Sequence, residues 1–154
     1  EHIQYGLAHN HWPGRLEVVS QNPHVILDGA HNLMAARRLG RFLKTSLAGR
    51  RITMVAGILD DKPYRAILKD LVAPCARLII TRAKIDRSLP PETLEAVARP
   101  LIADIEVVAD VGDAVRHAIA TSGPEDAVCV AGSLYVVGEA KAALEKSRDS
   151  LFQV

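Results

Sequence analysis

An α/β domain with a mostly parallel sheet of about six strands and helices on both faces is what this sequence predicts, and three observations predict it. Short apolar runs at 25–27, 52–56, 78–80 and 127–131 show no polar alternation, the pattern of strands buried on both faces. Each run is followed by a segment with helical spacing, and parallel strands need such crossovers. Glycine or polar residues mark the passage from strand to helix, as at Asp28-Gly29, Gly57 and Gly132-Ser133. The 154 residues suffice for one domain with a sizeable core, and with 49% hydrophobic and 24% charged residues the chain is ordinary for a globular protein. Aromatic residues make up only 4%, so the core must be aliphatic.

The elements follow in order. Residues 1–8 read as the end of a helix, with Ile3 and Leu7 four apart, and His9-Asn10-His11 as a polar break; 1–11 is expected to be a linker or the tail of a preceding domain, and 12–154 the domain proper. Trp12-Pro13-Gly14-Arg15 is a turn, because Pro and Gly are adjacent. A strand is expected over 16–20, where Val19 breaks the alternation, and Asn22-Pro23 turns the chain into the strand at 25–27. Asn32 is a helix N-cap for 33–47, with Ala36, Leu39, Leu43 and Leu47 on the buried stripe, Arg37, Arg38, Arg41 and Lys44 mostly on a solvated face, and Gly49 beyond the end. After the strand at 52–56, Pro63 suits the first turn of a helix over 64–72 that Pro74 stops. Then come a strand at 78–80, a helix from Pro90-Pro91 to about 101, a strand at 105–109, and a helix capped by Asp110 or Asp113. The last strand is 127–131, and a final helix runs from 134 to 146, with fraying from Ser147. The result is a Rossmann-like three-layer arrangement, with one antiparallel strand at the edge.

A net charge of +1 gives no reason to expect a nucleic acid or an anionic membrane surface as partner. Cys75 and Cys129 have no metal spacing between them and read as free thiols, which fits a reducing cytoplasm. No signal peptide and no apolar run of bilayer length is evident. The expected location is therefore cytoplasmic.

The chemistry concentrates in His24-Val25-Ile26-Leu27-Asp28-Gly29-Ala30-His31-Asn32, where a buried strand runs into a carboxylate, a histidine and a helix N-terminus. In open α/β sheets, ligands bind at the carboxyl ends of the strands. Asp28 could accept hydrogen bonds from a ribose hydroxyl, and His31 could donate to a phosphate or carboxylate with the help of the helix N-terminus. The plain alternative is turn chemistry, for which Asp, Gly and Asn are common. Asp28 and His31 could share a metal, but no further ligand is evident, so no metal site is assigned. His2, His9 and His11 form a loose cluster that reads as exposed. Arg15 ends a rigid turn, and a guanidinium there suits a phosphate, although a surface arginine is the default. Gly132-Ser133 repeats the strand–glycine–helix junction, with Ser133 either an N-cap or a ligand-facing hydroxyl. The G-x-S-x-G elbow is absent, which disfavours a triad of Asp28, His31 and Ser133. G-x-G-x-x-G and G-x-x-x-x-G-K-[ST] are absent as well, so the chain has no phosphate loop of its own.

Three motifs in order, Trp12-Pro13-Gly14-Arg15-Leu16-Glu17, Asp28-Gly29-Ala30-His31-Asn32 and Gly132-Ser133-Leu134-Tyr135-Val136-Val137-Gly138-Glu139, resemble the C-terminal domain of folylpolyglutamate synthase and dihydrofolate synthase in the Mur ligase superfamily. Asp61-Lys62 resembles a further family element. The resemblance implies a whole enzyme that uses ATP to turn a folate or dihydropteroate carboxylate into an acyl phosphate, which the amine of L-glutamate then attacks to give an amide, ADP and phosphate. It implies that Arg15 and Asp28 contact ATP, that His31 is a catalytic residue beside the phosphates and the glutamate, and that Ser133 lies on the glutamate side. The phosphate loop and most of the Mg²⁺ ligands would belong to a larger N-terminal domain of the same polypeptide, so the chain is expected to be inactive alone and monomeric. Departures from the pattern are Leu33, where proline often follows Asn, Pro63 in place of a common aspartate, and Ala131 in place of a common threonine; Pro63 puts any role for that loop in doubt. The competing readings are a stand-alone nucleotide- or anion-binding module and another Mur-type amino-acid ligase.

Overall fold

The computed structural model describes residues 12–151 of the chain. The helix end expected at 1–8, the linker at 1–11 and the His2, His9 and His11 cluster lie outside the described residues. The elements are β1 (Glu17–Gln21), β2 (His24–Leu27), α1 (Leu33–Ser46), β3 (Ile52–Ala56), α2 (Tyr64–Val72), β4 (Arg77–Ile80), α3 (Pro91–Ala98), β5 (Asp104–Val107), α4 (Val111–Ala120), β6 (Ala127–Ala131) and α5 (Leu134–Leu151). They build the expected α/β sandwich around a 6-stranded sheet in the order β1-β2-β6-β3-β4-β5. Among the described strands of the sheet only the β1–β2 pair is antiparallel, and the other strand pairs are parallel. The last strand in the chain thus sits between β2 and β3, near the centre.

The apolar runs are explained by the two faces they serve. Ile26, Met54, Ile80 and Cys129 pack into one cluster with the buried stripes of α1, α2 and α3. Their neighbours Val25, Leu27, Val55, Ile79, Val128 and Val130 pack into the other, under α4 and α5. Successive strand residues point to opposite faces, so a strand covered on both sides must be apolar throughout. Each large aliphatic side chain removed from water in this way contributes about 2 kcal/mol. Gly40 lets α1 approach α2 closely: a β-carbon there would lie 2.4 Å from the Asp70 carbonyl oxygen. Both cysteines are free, Cys129 within the core and Cys75 beside the Leu71 carbonyl, where burial pushes the thiol up to about 12.

Several boundaries differ, and four of the differences have a physical reason. β1 starts at Glu17, because Leu16 adopts φ 47 and cannot pair as a strand residue, and the break at Val19 is a register shift between Val18 and Ser20. α3 ends at Ala98, short of the expected 101, since Pro100 has no N–H to continue the ladder. β5 spans Asp104–Val107 and not 105–109, because it matches the four residues of β4. α5 continues to Leu151, past the expected fraying at 147, since neither Gly nor Pro interrupts it there and Ser147 Oγ bonds the Ala143 carbonyl at 3.0 Å. No helix among the described residues is long and apolar enough to cross a membrane.

A charged cluster ties β5 to its neighbours. His117 Nε2–H on α4 donates to Glu106 Oε2 at 2.9 Å, and Arg77 on β4 pairs with the same carboxylate. The hydrogen bond from His117 and the Arg77 pair hold the Glu106 carboxyl below its ordinary 4.5. A depressed carboxyl contributes stability that is present above 4.5 and is lost as pH falls through the folded value. Glu106→Gln is therefore expected to lose less melting temperature between pH 7 and pH 3 than the unmodified chain, read by thermal denaturation; an identical loss would show that the cluster carries no such linkage.

Candidate functional site

Parallel pairing of β2 with β6 and of β6 with β3 brings the carboxyl ends of these strands to one edge. The junctions that follow them are bonded to each other. Asp28 N–H donates to the Val130 carbonyl at 3.0 Å, and Gly132 N–H to the Ala30 carbonyl at 3.0 Å. Gly132 takes φ 105, and a β-carbon on it would fall 2.6 Å from the Gly57 carbonyl oxygen at the end of β3.

The Trp12–Arg15 turn is clamped over this edge. Arg15 N–H closes the turn on the Trp12 carbonyl at 3.1 Å, and Gly29 N–H donates to the Gly14 carbonyl at 2.6 Å. Glu17, buried on the inward face of β1, accepts from Gly14 N–H at 2.7 Å through one carboxylate oxygen and from Lys141 Nζ of α5 at 2.8 Å through the other. Neither Glu17 nor Lys141 was assigned a role from the sequence. Local sequence carried no signal for Glu17: alternation with Leu16 and Val18 places it on the outer face, whereas in the structure Leu16 and Val18 are exposed and Glu17 is buried.

Asp28 is the centre of the arrangement. Its Oδ1 accepts from Ala30 N–H and its Oδ2 from Leu16 N–H, both at 2.9 Å. Burial raises the Asp28 carboxyl above its ordinary value, outweighing those two hydrogen bonds and the charge of Arg15. Three residues on, His31 Nδ1 lies 2.7 Å from the Gly29 carbonyl. A carbonyl only accepts, so Nδ1 carries the proton and Nε2 is the basic nitrogen of the neutral ring. Asn32 caps α1 by accepting from Ala35 N–H at 2.9 Å, as expected. The first amides of α1 then have no intrahelical acceptor, which makes this end a donor surface for an anion.

Arg15 and Asp28 line one open hollow of about 340 Å³. Asn32 and Arg38 add polar groups to it, and Met34, Leu39 and Phe42 form its apolar side. Arg38 had been read as part of the solvated helix face; the hollow claims it because its position on α1 faces the Trp12–Arg15 turn. Larger hollows occur elsewhere, but here a carboxylate, two guanidinium groups and a helix N-terminus converge at the carboxyl edge of the sheet. His31 lies on the same loop as Asp28, outside the hollow's lining. Ser133 is placed differently: it is fully buried, and its hydroxyl accepts from Tyr135 N–H at 3.1 Å as the cap of α5. Among the described residues no three His, Cys, Asp or Glu side chains converge as a metal-ligand set. Trp12, Leu16, Met34, Leu134 and Tyr135 are exposed around this end of the molecule.

Comparison with known proteins agrees with this geometry. Residues 14–134 match the model of the family described as Mur ligase, glutamate ligase domain. The probable bifunctional folylpolyglutamate synthase/dihydropteroate synthase of Haloferax volcanii is 37% identical over 142 residues, which is 92% of this chain and 17% of that protein. The folylpolyglutamate synthase of Lacticaseibacillus casei is 32% identical over 148 residues, covering 94% of this chain and 32% of that protein. Among solved structures, E. coli FolC in complex with DHPP and ADP superposes with a TM-score of 0.87 at 29% identity, over 95% of this chain and 34% of that one. The chain thus spans about a third or less of the relatives it matches. By the family model and by this agreement in sequence and fold, the chain belongs to the Mur ligase family, as a glutamate ligase domain.

Proposed function

We propose that this chain is the C-terminal domain, over 12–154, of an ATP-dependent ligase that joins L-glutamate to (tetrahydro)folate or dihydropteroate through an acyl phosphate, releasing ADP. The observation that carries the reading is the hollow where Arg15, Asp28 and the α1 N-terminus converge on one open edge, in a chain without a phosphate loop. The similarity to folylpolyglutamate and dihydrofolate synthases supports the substrate class. A site of this kind works by closing against a second domain, here a P-loop domain of the same polypeptide. The exposed apolar side chains around the hollow supply a surface for that closure. We further propose a monomer in a reducing cytoplasm, with residues 1–11 as the connection to the other domain.

The residues present fit one side of a nucleotide site. Arg15, with the free amides of α1, offsets charge on the phosphates. Asp28 already accepts two amides, and its remaining lone pairs suit a ribose hydroxyl. His31 Nε2 is available to the attacking glutamate amine and the transferring phosphoryl group. Ser133 serves the glutamate side by setting the first turn of α5. Mg²⁺, held mainly by the P-loop domain, supplies electrostatic stabilisation of the phosphates when bound.

The test is to produce the longer polypeptide that carries this chain and measure ADP release. Release is expected to depend on glutamate and on tetrahydrofolate or dihydropteroate; no glutamate-dependent release with either acceptor overturns the assignment. In that enzyme Arg15→Ala is expected to raise KM for ATP about tenfold with the melting temperature little changed, because a charged hydrogen bond from an exposed guanidinium to the ligand is worth about 1.5 kcal/mol. Calorimetry of the 154-residue chain alone with ATP is expected to find little binding that depends on Arg15. Micromolar affinity that is lost in Arg15→Ala would favour a self-sufficient nucleotide-binding module.

A further inference from the structure

A second concave surface runs along α1 from Arg37 to the turn beyond its C-terminus, between α1 and α2, with a volume of about 690 Å³. It opens on a different face of α1 from the hollow beside Asp28, and the two share no lining residue. Arg37, Arg41 and Lys44 fall four and three residues apart on α1, which places them along one face. Arg50 joins them from the turn that follows. Leu43, Leu47 and Ile52 form the buried floor.

Four cations therefore line the groove, and Asp70 is the single carboxylate among its lining residues. Arg37 takes Asp70 at 3.4 Å, and Arg50 donates to the Glu125 carbonyl at 3.0 Å. Arg41 and Lys44 are exposed and form no ion pair among the described residues. A helix C-terminus carries only about half a negative charge, too little to balance this set. On a convex surface such charges would simply be hydrated. Lining a concavity with an apolar floor, they add their fields in the same volume and repel one another until an anion enters.

We propose that this groove binds a small ligand carrying two or more phosphate groups, at a site separate from the one proposed for ATP. Guanidinium groups match phosphate oxygens in pairs, and a lysine adds a mobile point charge. The apolar floor accommodates the organic part of such a ligand. The inference does not depend on the folate reading, since it uses none of Arg15, Asp28 and His31.

The probe is inorganic tripolyphosphate, titrated at low salt into the ¹⁵N-labelled chain, whose sheet carries an apolar cluster on each face. Saturable amide shifts are expected across 37–50 and around Asp70. The double variant Arg41→Glu, Lys44→Glu is expected to weaken binding roughly tenfold or more, and Arg41→Gln, Lys44→Gln by less, because the first reverses the charge and the second only removes it. Arg15→Ala is expected to leave these shifts unchanged. Shifts confined to the surroundings of Arg15 and Asn32, or an affinity unaltered by the Glu pair in a chain with unchanged circular dichroism, would overturn the proposal.

Discussion

Replacing Gly132 with alanine is expected to lower the melting temperature of the domain by about 10 °C. Two costs add. The residue sits at φ 105, where a side chain is rarely tolerated, at about 1–3 kcal/mol. The new β-carbon would also lie 2.6 Å from the Gly57 carbonyl oxygen and 3.1 Å from Ile58 Cγ1. The Gly57 carbonyl is backbone and cannot swing aside. Gly57 itself is packed so closely that a β-carbon there would meet the Thr81 carbonyl oxygen at 2.7 Å. Overpacking of this kind costs about 1–3 kcal/mol, and a total near 3 kcal/mol corresponds to the stated shift at about 3 °C per kcal/mol. Gly138 is the control. It lies within α5 with open space around its would-be β-carbon, so Gly138→Ala should raise stability by up to about 1 kcal/mol. Thermal denaturation of the two variants decides the matter: a loss below about 2 °C at Gly132 would mean that the junction can relax, and that its backbone does not hold β6 and β3 in place.

Asp28→Ala is expected to cut kcat/KM for ATP about a hundredfold in the enzyme that contains this chain, and also to lower the melting temperature by about 6 °C. The stability loss has a local cause: the amides of Leu16 and Ala30 lose their acceptor, at about 2 kcal/mol in total. The activity loss has two causes. The contact proposed for the ribose disappears, and the turn that carries Arg15 loses its tie to the β2–α1 junction. Arg15→Ala separates the two, since it is expected to affect ATP with little effect on folding. The pH dependence gives an independent reading. Burial raises the Asp28 carboxyl above its ordinary 3.8. By linkage its stabilising share is complete below 3.8 and declines as pH rises through the folded value, the opposite sense to Glu106. The gap in melting temperature between the unmodified chain and Asp28→Ala should therefore narrow with rising pH through that range. Unchanged ATP dependence in Asp28→Ala would reject its assignment to the nucleotide.

Much of the site was legible because its parts are local. Asp28, His31 and Asn32 fall within one strand–helix junction, and Arg15 within one Pro-Gly turn, so their types and spacing were enough to nominate them. Glu17, Lys141 and Arg38 were not legible in that way. Glu17 and Lys141 are 124 residues apart and meet only because β1 packs against α5. Arg38 looks like any cation on an amphipathic helix until the Trp12–Arg15 turn folds over against it. Ser133 shows the opposite case. Local sequence offered either a cap or a ligand-facing hydroxyl, and the burial of Ser133 and its bond to Tyr135 N–H show the cap.

By itself, the sequence determined the α/β class, the order of the elements, the cap at Asn32, a cap at Asp110 or Asp113 of which the structure uses Asp110, and the apolar identity of the central strands. These depend on residue periodicity and on the hydrogen-bonding reach of neighbouring side chains, both of which are short-range. Tertiary structure alone decided that β6 enters between β2 and β3, that the Gly132 junction lies against the Asp28 junction, and that Arg37, Arg41, Lys44 and Arg50 surround a groove. Strand order is settled by which apolar faces pack together across the whole chain, and no local pattern encodes it. Parallel pairing then brings the ends of distant strands to one edge, and the geometry of the site follows from that pairing.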